Sequence, residues 1–368
     1  MKIGTITYWD TDNNYGQVLQ CFALIRFLKS LGHDAFLIRH TMTRHQSLLQ
    51  KMLWWLSHFS LSRIKAGLTY RRMRKNMASD MNSINRNFAE FKRQYIPCTD
   101  QLYSQEELMH MPPKADAYIC GSDQIWGEPN PVMMLQFAPD GTHCIAFAAS
   151  MGGVEFNDHD ATTFKNYLKR FSLITLREQS GVEYCQKIGI SAARLFPDPT
   201  LMLSARVYRQ IYHDQQVTTQ TKPYLLIYLL GNPSMINVDD VFHYAATHQL
   251  DVKYVAAQGG KDDYEKIYPT VPEWLSLIDN ADCIVTNSYH GTIFSLIFNT
   301  PFLTIPLVGT FARMNKRIDS LLSHFGLTDR IYKDSLEPLG TAVDFEPFIK
   351  QRAADAEMVT RVLTETLS

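Results

Sequence analysis

The feature that most constrains the fold is the stretch of residues 282–306, where apolar and polar segments alternate in a definite order. A short apolar run at 283–285 predicts a buried strand, and a polar turn follows it. An apolar helix without charges is predicted at about 292–298, and residues 302–305 predict the next strand. A strand, a turn, a buried helix and a second strand are the core of a βαβ unit, so we expect a parallel sheet.

The polar turn at 286–291 is the first candidate binding site. Ligands of open α/β sheets bind beyond the carboxyl ends of the strands. We therefore expect Ser288, Tyr289, His290 and Gly291 at the start of the helix, where free N–H groups and the helix dipole attract anions. This arrangement favours a binding site for phosphate or carboxylate. The alternative is that His290 only caps the helix or packs as a polar core residue.

Length and charge limit the classes of protein to consider. The chain has 368 residues, enough for two domains with separate cores. Its formal net charge of -1 provides no general attraction for nucleic acid, so we expect no nucleic-acid partner. With 45% hydrophobic and 20% charged residues, the composition is that of an ordinary water-soluble protein.

The cysteines and the apolar runs bear on the compartment. The six cysteines show neither a CxxC pair nor a metal-binding spacing, so we expect no metal site. Several lie in apolar strand-like runs, which is typical of buried thiols in a reducing compartment. The first ten residues predict a strand rather than a signal peptide, and no run approaches the roughly 18 apolar residues of a spanning helix. These observations predict a cytoplasmic protein.

The amino-terminal unit consists of a predicted strand at 3–8, a polar loop at 9–16 and a helix at 17–31. It is similar to the start of a nucleotide-binding domain, but it lacks GxGxxG and a P-loop lysine. The loop carries Asp12 and Asn14, which are candidates for binding. Their alternative role is ordinary turn chemistry.

Residues 41–79 differ from the rest of the chain because they contain eight Lys and Arg residues and no Asp or Glu. Trp54 and Trp55 lie among them, and basic residues beside tryptophan suit the surface of an anionic membrane. Residues 52–75 are therefore a candidate for peripheral contact with the inner face of the membrane. The alternative is an inserted helix that packs its tryptophans on the domain and exposes its charges. A helix at 84–95 is predicted to follow.

Two further predicted strands end in residues suited to binding. The strand at 117–120 ends in a Gly-Ser-Asp-Gln turn that contains Asp123 and Gln124. The strand at 143–148 precedes a double glycine at 152–153, which permits close approach of a ligand to the backbone.

Arg177 follows the predicted strand at 173–176. An arginine just past a buried strand is a candidate fork for carboxylate or phosphate. The alternative is a surface ion pair between Arg177 and the neighbouring Glu178.

The segment order predicts an α/β protein with two doubly wound Rossmann-like domains that face a common cleft. The amino-terminal domain is predicted at 1–203. A polar linker at 204–222 leads to the carboxyl-terminal domain at 223–345. The last helix, at 346–368, is predicted to pack back on the first domain.

Several stretches, in order and at suitable spacing from residue 3 to about 330, resemble the polysaccharide pyruvyl transferase family. They are Asn14-Tyr15-Gly16 with Val18-Leu19-Gln20, Cys120-Gly121-Ser122-Asp123-Gln124-Ile125-Trp126, Phe147-Ala148-Ala149-Ser150, Arg177-Glu178 with Ser180-Gly181-Val182, Asp198-Pro199-Thr200-Leu201, and Asn287-Ser288-Tyr289-His290-Gly291-Thr292.

The resemblance implies a glycosyltransferase-B-like fold and the transfer of pyruvate from phosphoenolpyruvate to a sugar as a ketal. The sugar would belong to a surface polysaccharide or to its lipid-linked precursor. Phosphoenolpyruvate would be a co-substrate, and no other cofactor is expected. By the same resemblance, Arg177 and the Ser288-Tyr289-His290 turn form the donor site.

Within that site, Arg177 would bind an anionic group of the donor, and the backbone from Ser288 to Gly291 would hold the phosphate. His290 is either the general acid or a phosphate ligand that assists departure, because imidazole titrates near neutral pH. Arg313 and Arg317 would add positive charge, unless both are surface residues of the following helix.

By the same resemblance, the amino-terminal domain would be the acceptor side and the carboxyl-terminal domain the donor side. Asp12, Asn14, Asp123 and Gln124 are polar groups at strand ends and suit sugar hydroxyls. Asp123 is the candidate base for the attacking hydroxyl.

Two other functions fit the same fold. One is a nucleotide-sugar-dependent glycosyltransferase, in which the helix beginning near residue 291 would hold a nucleoside diphosphate. The other is a non-catalytic sugar-binding or assembly protein.

Overall fold

The computed structural model describes residues 1–41, 84–218, 222–231, 234–257 and 262–368. Except for Thr41, the basic insertion predicted at 41–79 lies outside the described residues, and so does the proposed membrane-contact stretch at 52–75.

The described chain alternates strands and helices. The strands are β1 Lys2–Ile6, β2 Asp34–Leu37, β3 Ala117–Cys120, β4 His143–Ala149, β5 Leu173–Leu176, β6 Arg194–Leu195, β7 Tyr224–Tyr228, β8 Asp251–Tyr254, β9 Cys283–Thr286 and β10 Phe302–Thr304. The α-helices are α1 Tyr15–Ser30, α2 Phe88–Tyr95, α3 Gln105–His110, α4 Asp158–Leu168, α5 Gln179–Lys187, α6 Ala205–Asp214, α7 Val238–Thr247, α8 Val271–Asp279, α9 Tyr289–Phe298, α10 Asn315–His324 and α11 Glu346–Leu367. Short 3₁₀ helices lie at Pro199–Met202, Gly309–Met314, Thr328–Arg330 and Glu337–Gly340.

The strands form two parallel sheets, one in each domain. Among the described residues, the first sheet has the order β2-β1-β3-β4-β5-β6 and the second has the order β10-β9-β7-β8. All pairings within them are parallel. Strands buried on both faces are typical of such sheets, and β3, β5, β7 and β9 are buried at every position. The α/β fold with two parallel-sheet domains is therefore confirmed.

Helix α1 lies against both domains. Twelve of its 16 residues are buried, and the helix begins where the Asn14 side chain accepts a hydrogen bond from the Gln17 N–H. The Tyr15 ring of α1 stacks on Trp274 of the second domain, with ring centres 4.9 Å apart and an angle of 4° between planes. The Tyr15 hydroxyl donates to the Pro269 carbonyl at 2.6 Å. The start of α1 is thus attached to the second domain.

The helix predicted at 84–95 is shorter than expected. It begins only at Phe88, after Asn87 in the left-handed conformation. Arg86 before it is buried and donates through Nη1 to the Ala256 carbonyl at 2.9 Å. Because Arg86 contacts the second domain, the helix starts after it. The periodicity of the local sequence does not reveal such a contact.

The segment predicted as a linker contains helix α6, which buries Tyr208, Ile211 and Tyr212. The carboxyl-terminal helix α11 contacts the end of the first domain, because Arg352 Nε donates to the Leu201 carbonyl at 2.8 Å. The domain boundaries themselves stay a prediction.

Candidate functional site

The two sheets face each other where their strand orders reverse. The reversal lies between β1 and β3 in the first sheet and between β7 and β9 in the second. The Thr7 hydroxyl donates to the Ser122 carbonyl at 2.7 Å and joins the loops after β1 and β3. The Asn287 side chain bonds both backbone groups of Leu230, at 2.6 and 2.9 Å, and joins the loops after β7 and β9. Such reversals are where open α/β sheets bind ligands.

A buried carboxylate, Asp198, connects the two domains at this point. Its Oδ2 accepts from Arg177 Nη1 and from the Ser122 hydroxyl, both at 2.9 Å, and lies 3.5 Å from His290 Nε2. Its Oδ1 accepts from the Thr200 N–H and hydroxyl. Burial alone would raise the pKa of Asp198, but His290 and Arg177 hold that pKa well below its usual value. Asp198 is therefore ionised and lies against a basic side chain from each domain.

Arg177 has no exposed side-chain surface. The interpretation of Arg177 and Glu178 as a surface ion pair is therefore wrong. Besides the bond to Asp198, the Arg177 guanidinium lies 4.3 Å from the centre of the Tyr289 ring. Its Nε and Nη2 are buried without a hydrogen-bond partner among the described residues. Buried donors without partners are rare, so these two N–H groups are candidates for binding an anion.

A second arginine, Arg317, lies near Arg177, and we call the surface formed by these two guanidinium groups the positive face. Arg317, in the first turn of α10, is buried, and its guanidinium lies 5.6 Å from the centre of the same Tyr289 ring. Burial, together with the charge of Arg177, lowers the pKa of Arg317 to about 10. Two like charges this close disfavour each other, and a bound anion would relieve that repulsion.

His290 is held between Asp198 and the first turn of α1. A Cβ placed on Gly16 would lie 2.1 Å from His290 Nδ1 and 2.4 Å from its Cγ. Only a glycine at this position of α1 leaves room for the imidazole. The ring is mostly buried, and its Nε2 has no hydrogen-bond partner among the described residues, since the Asp198 oxygen at 3.5 Å is an ion-pair distance.

Some of the backbone N–H groups at the start of α9 already have hydrogen-bond partners in the same turn. The Ser288 hydroxyl accepts from the Gly291 N–H at 3.2 Å, and the Ser288 N–H donates to the Thr286 hydroxyl at 3.1 Å. First-turn N–H groups have no partner inside a helix, so Tyr289 and His290 supply the remaining donors. Gly291 itself is required by packing, because a Cβ there would lie 2.4 Å from the Thr286 hydroxyl oxygen.

The loop after β4 is organised by Glu178. One carboxylate oxygen, Oε1, accepts from the Ser150 hydroxyl at 3.0 Å and from the N–H groups of Met151 and Gly152 at 2.7 and 3.2 Å. The other oxygen is buried without a hydrogen-bond partner among the described residues. Glu178 therefore fixes the double-glycine loop, and its charge partly offsets that of the neighbouring Arg177.

Asp123 lies at the end of β3 with a φ of 80°. Few residues other than glycine adopt this left-handed conformation, although aspartate does so more often than most. The charge of Asp123, after burial, raises the pKa of Tyr8 to about 12, and it also acts on Arg317. Asp123 is thus near both the positive face and Tyr8. Gln124 packs against Gly152, where a Cβ would lie 2.7 Å from its side-chain oxygen.

The remaining candidates make contacts of other kinds. The Asp12 side chain is 87% exposed and lies 3.5 Å from Lys92 Nζ, and Asn14 serves as the N-cap of α1. Arg313 is exposed, and its carbonyl would lie 2.6 Å from a Cβ on Gly153. The interpretation of Arg317 as a surface residue is wrong.

Sequence reasoning missed Asp198 and Ser122 as parts of the site, although both lie within stretches that carry the family resemblance. The signal was a polar residue within three positions of the end of a strand. Nothing local marked Arg317 as buried, because it lies four residues from the exposed Arg313 in the same basic segment.

Three properties concern the described residues as a set. They contain no cluster of His, Cys, Asp and Glu that could hold a metal ion. None of their helices combines the length and apolar character needed to cross a bilayer. All six cysteines lie among them and are free, and all but Cys98 are buried.

A sequence model of the polysaccharide pyruvyl transferase family matches residues 14–307. The chain belongs to this family. Membership confirms the resemblance found in the sequence, indicates a transferase, and implies a saccharide acceptor. Among curated proteins, none matches this sequence.

Solved structures share the fold at low identity. The UDP-GlcNAc 2-epimerase from Methanocaldococcus jannaschii is 13% identical with a TM-score of 0.56, and the match covers 99% of this chain and 100% of that one. The UDP-GlcNAc 2-epimerase from Neisseria meningitidis, solved with bound UDP-GlcNAc, is 8% identical with a TM-score of 0.47 over 100% and 99% of the two chains. The first likeness supports the glycosyltransferase-B-like, two-domain architecture and nothing finer.

Proposed function

We propose that this protein transfers the pyruvyl group of phosphoenolpyruvate to two hydroxyls of a saccharide, forming a ketal and releasing phosphate. The observation that carries the proposal is Arg177, whose buried Nε and Nη2 lack partners among the described residues. An arginine offers planar, paired donors that match a carboxylate or a phosphate. Phosphoenolpyruvate carries both of these groups.

The surrounding charges support an anionic donor. Arg317 adds a second cation near the Tyr289 ring, and the first turn of α9 adds the N–H groups of Tyr289 and His290. Asp198 already neutralises part of the charge of Arg177. In this proposal one anionic group of the donor meets Arg177, and the other meets Arg317 and the start of α9.

The reaction requires two protons to be removed from the sugar hydroxyls and two to be delivered, one to the methylene carbon and one to the departing phosphate. A proton goes to the methylene carbon of phosphoenolpyruvate, and a sugar hydroxyl that loses its own proton attacks the adjacent carbon. The bond from that carbon to the phosphate oxygen then breaks, and the neighbouring hydroxyl attacks the same carbon and loses its proton. The phosphate leaves with the electron pair of the broken bond and takes up the second proton.

His290 and Asp123 are the proposed proton-transfer groups. His290 supplies the proton or assists the departing phosphate. Its ring lies 3.5 Å from Asp198, which also binds Arg177, and it packs against Gly16. Asp123 takes the proton of the attacking hydroxyl, and Gln124 helps to orient the sugar. In this scheme Arg317 supplies the positive charge that the sequence suggested for both Arg313 and Arg317. Asp12 and Asn14 contact only the far end of a long acceptor.

The setting is part of the same proposal. Free cysteines are consistent with a reducing compartment such as the cytoplasm. A polysaccharide chain or a lipid-linked precursor would both present a vicinal or 1,3-related pair of hydroxyls, and the donor site is the same for either.

Donor binding is tested by thermal unfolding with and without phosphoenolpyruvate. A ligand at about 100 times its dissociation constant stabilises the folded state by roughly 2.7 kcal/mol. We expect this shift in the wild type, its loss in Arg317→Gln, and its retention in Lys316→Gln, the adjacent exposed cation. Incubation with saccharides and phosphoenolpyruvate should then release phosphate and add a pyruvyl ketal to the sugar, detected by mass spectrometry.

Other results would reject the proposal. Protection by UDP or GDP sugars, with none from millimolar phosphoenolpyruvate in the presence of acceptors, would indicate a nucleotide-sugar glycosyltransferase. If His290→Ala supports polysaccharide production as well as the wild type does, the protein is a non-catalytic sugar-binding protein.

A further inference from the structure

A second site lies on the first domain, away from the cluster around Asp198. It is an open groove of about 670 Å³ between helices α1, α2 and α6. The Gln215 side chain, just after α6, donates to the Gln94 side chain of α2 at 3.0 Å and connects two of its walls. We call this the three-helix groove.

The rim of the three-helix groove is positively charged. Arg26 and Lys29 of α1, Arg93 of α2 and Arg206 of α6 line it, against one carboxylate, Asp214. Arg93 is paired with Glu90. Arg26, Lys29 and Arg206 are exposed and have no ion-pair partner within the described ranges. Because the chain as a whole has a net charge of only -1, this concentration of cations is local.

The floor of the groove is apolar. Phe22 and Ile25 of α1 and Val207 and Ile211 of α6 contribute to it, and Val207 keeps part of its surface accessible. A hydrocarbon floor beneath a ring of cations is complementary to a molecule with an anionic head and an apolar chain. A free polyanion would leave the floor unused, and a neutral apolar ligand would leave the cations unused.

We propose that the three-helix groove binds an anionic phospholipid of a membrane surface. The lipid phosphate contacts Arg26, Lys29 and Arg206, and the first part of the chain lies on the Phe22–Ile211 floor. Basic side chains beside a bilayer attract anionic lipids, and buried apolar surface adds to that attraction. The chain would then rest on the membrane through this face without a spanning helix.

The proposal is independent of the pyruvyl-transfer chemistry. Arg26 is ten residues along α1 from Gly16, which contacts His290, so the groove lies roughly 15 Å from the candidate active site along the helix axis. Variants at the groove therefore leave the residues around Asp198 unchanged, and vesicle binding is measured without substrate.

The test uses the full chain in co-sedimentation with vesicles of equal parts phosphatidylglycerol and phosphatidylcholine, and with vesicles of phosphatidylcholine alone. We expect binding to the first and not to the second. Each surface cation contributes about fivefold to such binding, so Arg26→Glu/Arg206→Glu should weaken it by about 25-fold or more. The matched control is Arg194→Glu/Arg361→Glu, which reverses two exposed cations elsewhere and should change binding by less than about twofold.

A second experiment, with a soluble lipid, distinguishes a site for phospholipid from a site for phosphate alone. Short-chain phosphatidylglycerol below its micelle concentration should bind the wild type by calorimetry and not Arg26→Gln/Arg206→Gln, a milder pair that guards against misfolding. Equal binding of inorganic phosphate would overturn the lipid assignment. So would an equal loss in the groove variant and the control, or no wild-type binding to anionic vesicles.

Discussion

The guanidinium of Arg177 lies 4.3 Å from the centre of the Tyr289 ring. Arg177 follows a strand of the first sheet, and Tyr289 starts a helix after a strand of the second. The contact means that the positive face is assembled from both domains. Separating the domains would expose Arg177 and Asp198 and would remove the site, so domain contact and donor binding are expected to change together.

The first prediction concerns the buried pair of Arg177 and Asp198. Arg177→Ala leaves an uncompensated buried carboxylate, which typically costs about 3–5 kcal/mol of folding free energy. Adding Asp198→Asn to Arg177→Ala should recover part of that loss, because the buried carboxylate charge is then removed as well. Urea unfolding measures both. A cost below about 1 kcal/mol for Arg177→Ala would show that the pair is not desolvated as described.

The second prediction is that charged Arg317 lowers the free energy of unfolding. Its folded-state pKa of about 10 lies below the ordinary value for arginine, because burial and Arg177 disfavour its charge. The unfolded chain therefore holds this proton more tightly, so charged Arg317 opposes folding at neutral pH, and this cost in folding free energy decreases as pH rises above about 10. Arg317→Gln should unfold at an equal or higher temperature than the wild type at pH about 7, although it binds the donor less well. A clear loss of stability in calorimetry would contradict this.

The third prediction concerns the contact between Gly16 and His290. Gly16→Ala places a methyl group 2.1 Å from the Nδ1 position, so the imidazole must move. We expect a stability loss of about 1–3 kcal/mol and a fall in kcat of about 100-fold or more. Gly127→Ala is the control, because its nearest contact would be an ordinary 3.6 Å. Normal kcat in Gly16→Ala would show that the orientation of His290 does not matter.

The fourth prediction concerns Arg86 as a bridge between the domains. Its Nη1 donates to the Ala256 carbonyl at 2.9 Å, and its guanidinium lies 5.1 Å from the centre of the Tyr268 ring. Arg86→Gln should lose about 1.5–3 kcal/mol, the value for hydrogen bonds to charged groups. Arg93→Gln, which removes only an exposed ion pair with Glu90, should lose less than about 1 kcal/mol. Equal losses in chemical unfolding would argue against the bridge.

The fifth prediction is a pH dependence at the junction of α10 and α11. His324 Nε2 lies 2.7 Å from Asp355 Oδ2, and this hydrogen bond raises the pKa of His324 above 6.5. A raised histidine pKa gives stability that is fully present below about pH 6.5 and is lost as pH rises through the folded-state value. The melting temperature of the wild type should therefore approach that of His324→Gln above neutral pH. A difference that grows with pH would contradict the assignment.

Much of the fold could be predicted because it depends on local pattern. The apolar run at 117–120 and the uncharged run at 292–298 became β3 and part of α9. The boundaries moved where a side chain completed a cap, as Asn14 does for α1. The start of α2 could not be predicted, because Arg86 leaves the helix to contact Ala256 of the other domain.

The candidate site shows the same division. The sequence by itself determined that Arg177, Asp123, Ser288 and His290 follow strands, and parallel strands bring such residues to one edge of each sheet. Only the tertiary structure decided that Asp198 lies between Arg177 and His290, that Gly16 makes room for the imidazole, and that Arg317 is buried while Arg313 is exposed. The physical reason is that local pattern sets the direction of a chain segment, whereas the burial and pairing of a charge depend on groups that distant segments bring against it.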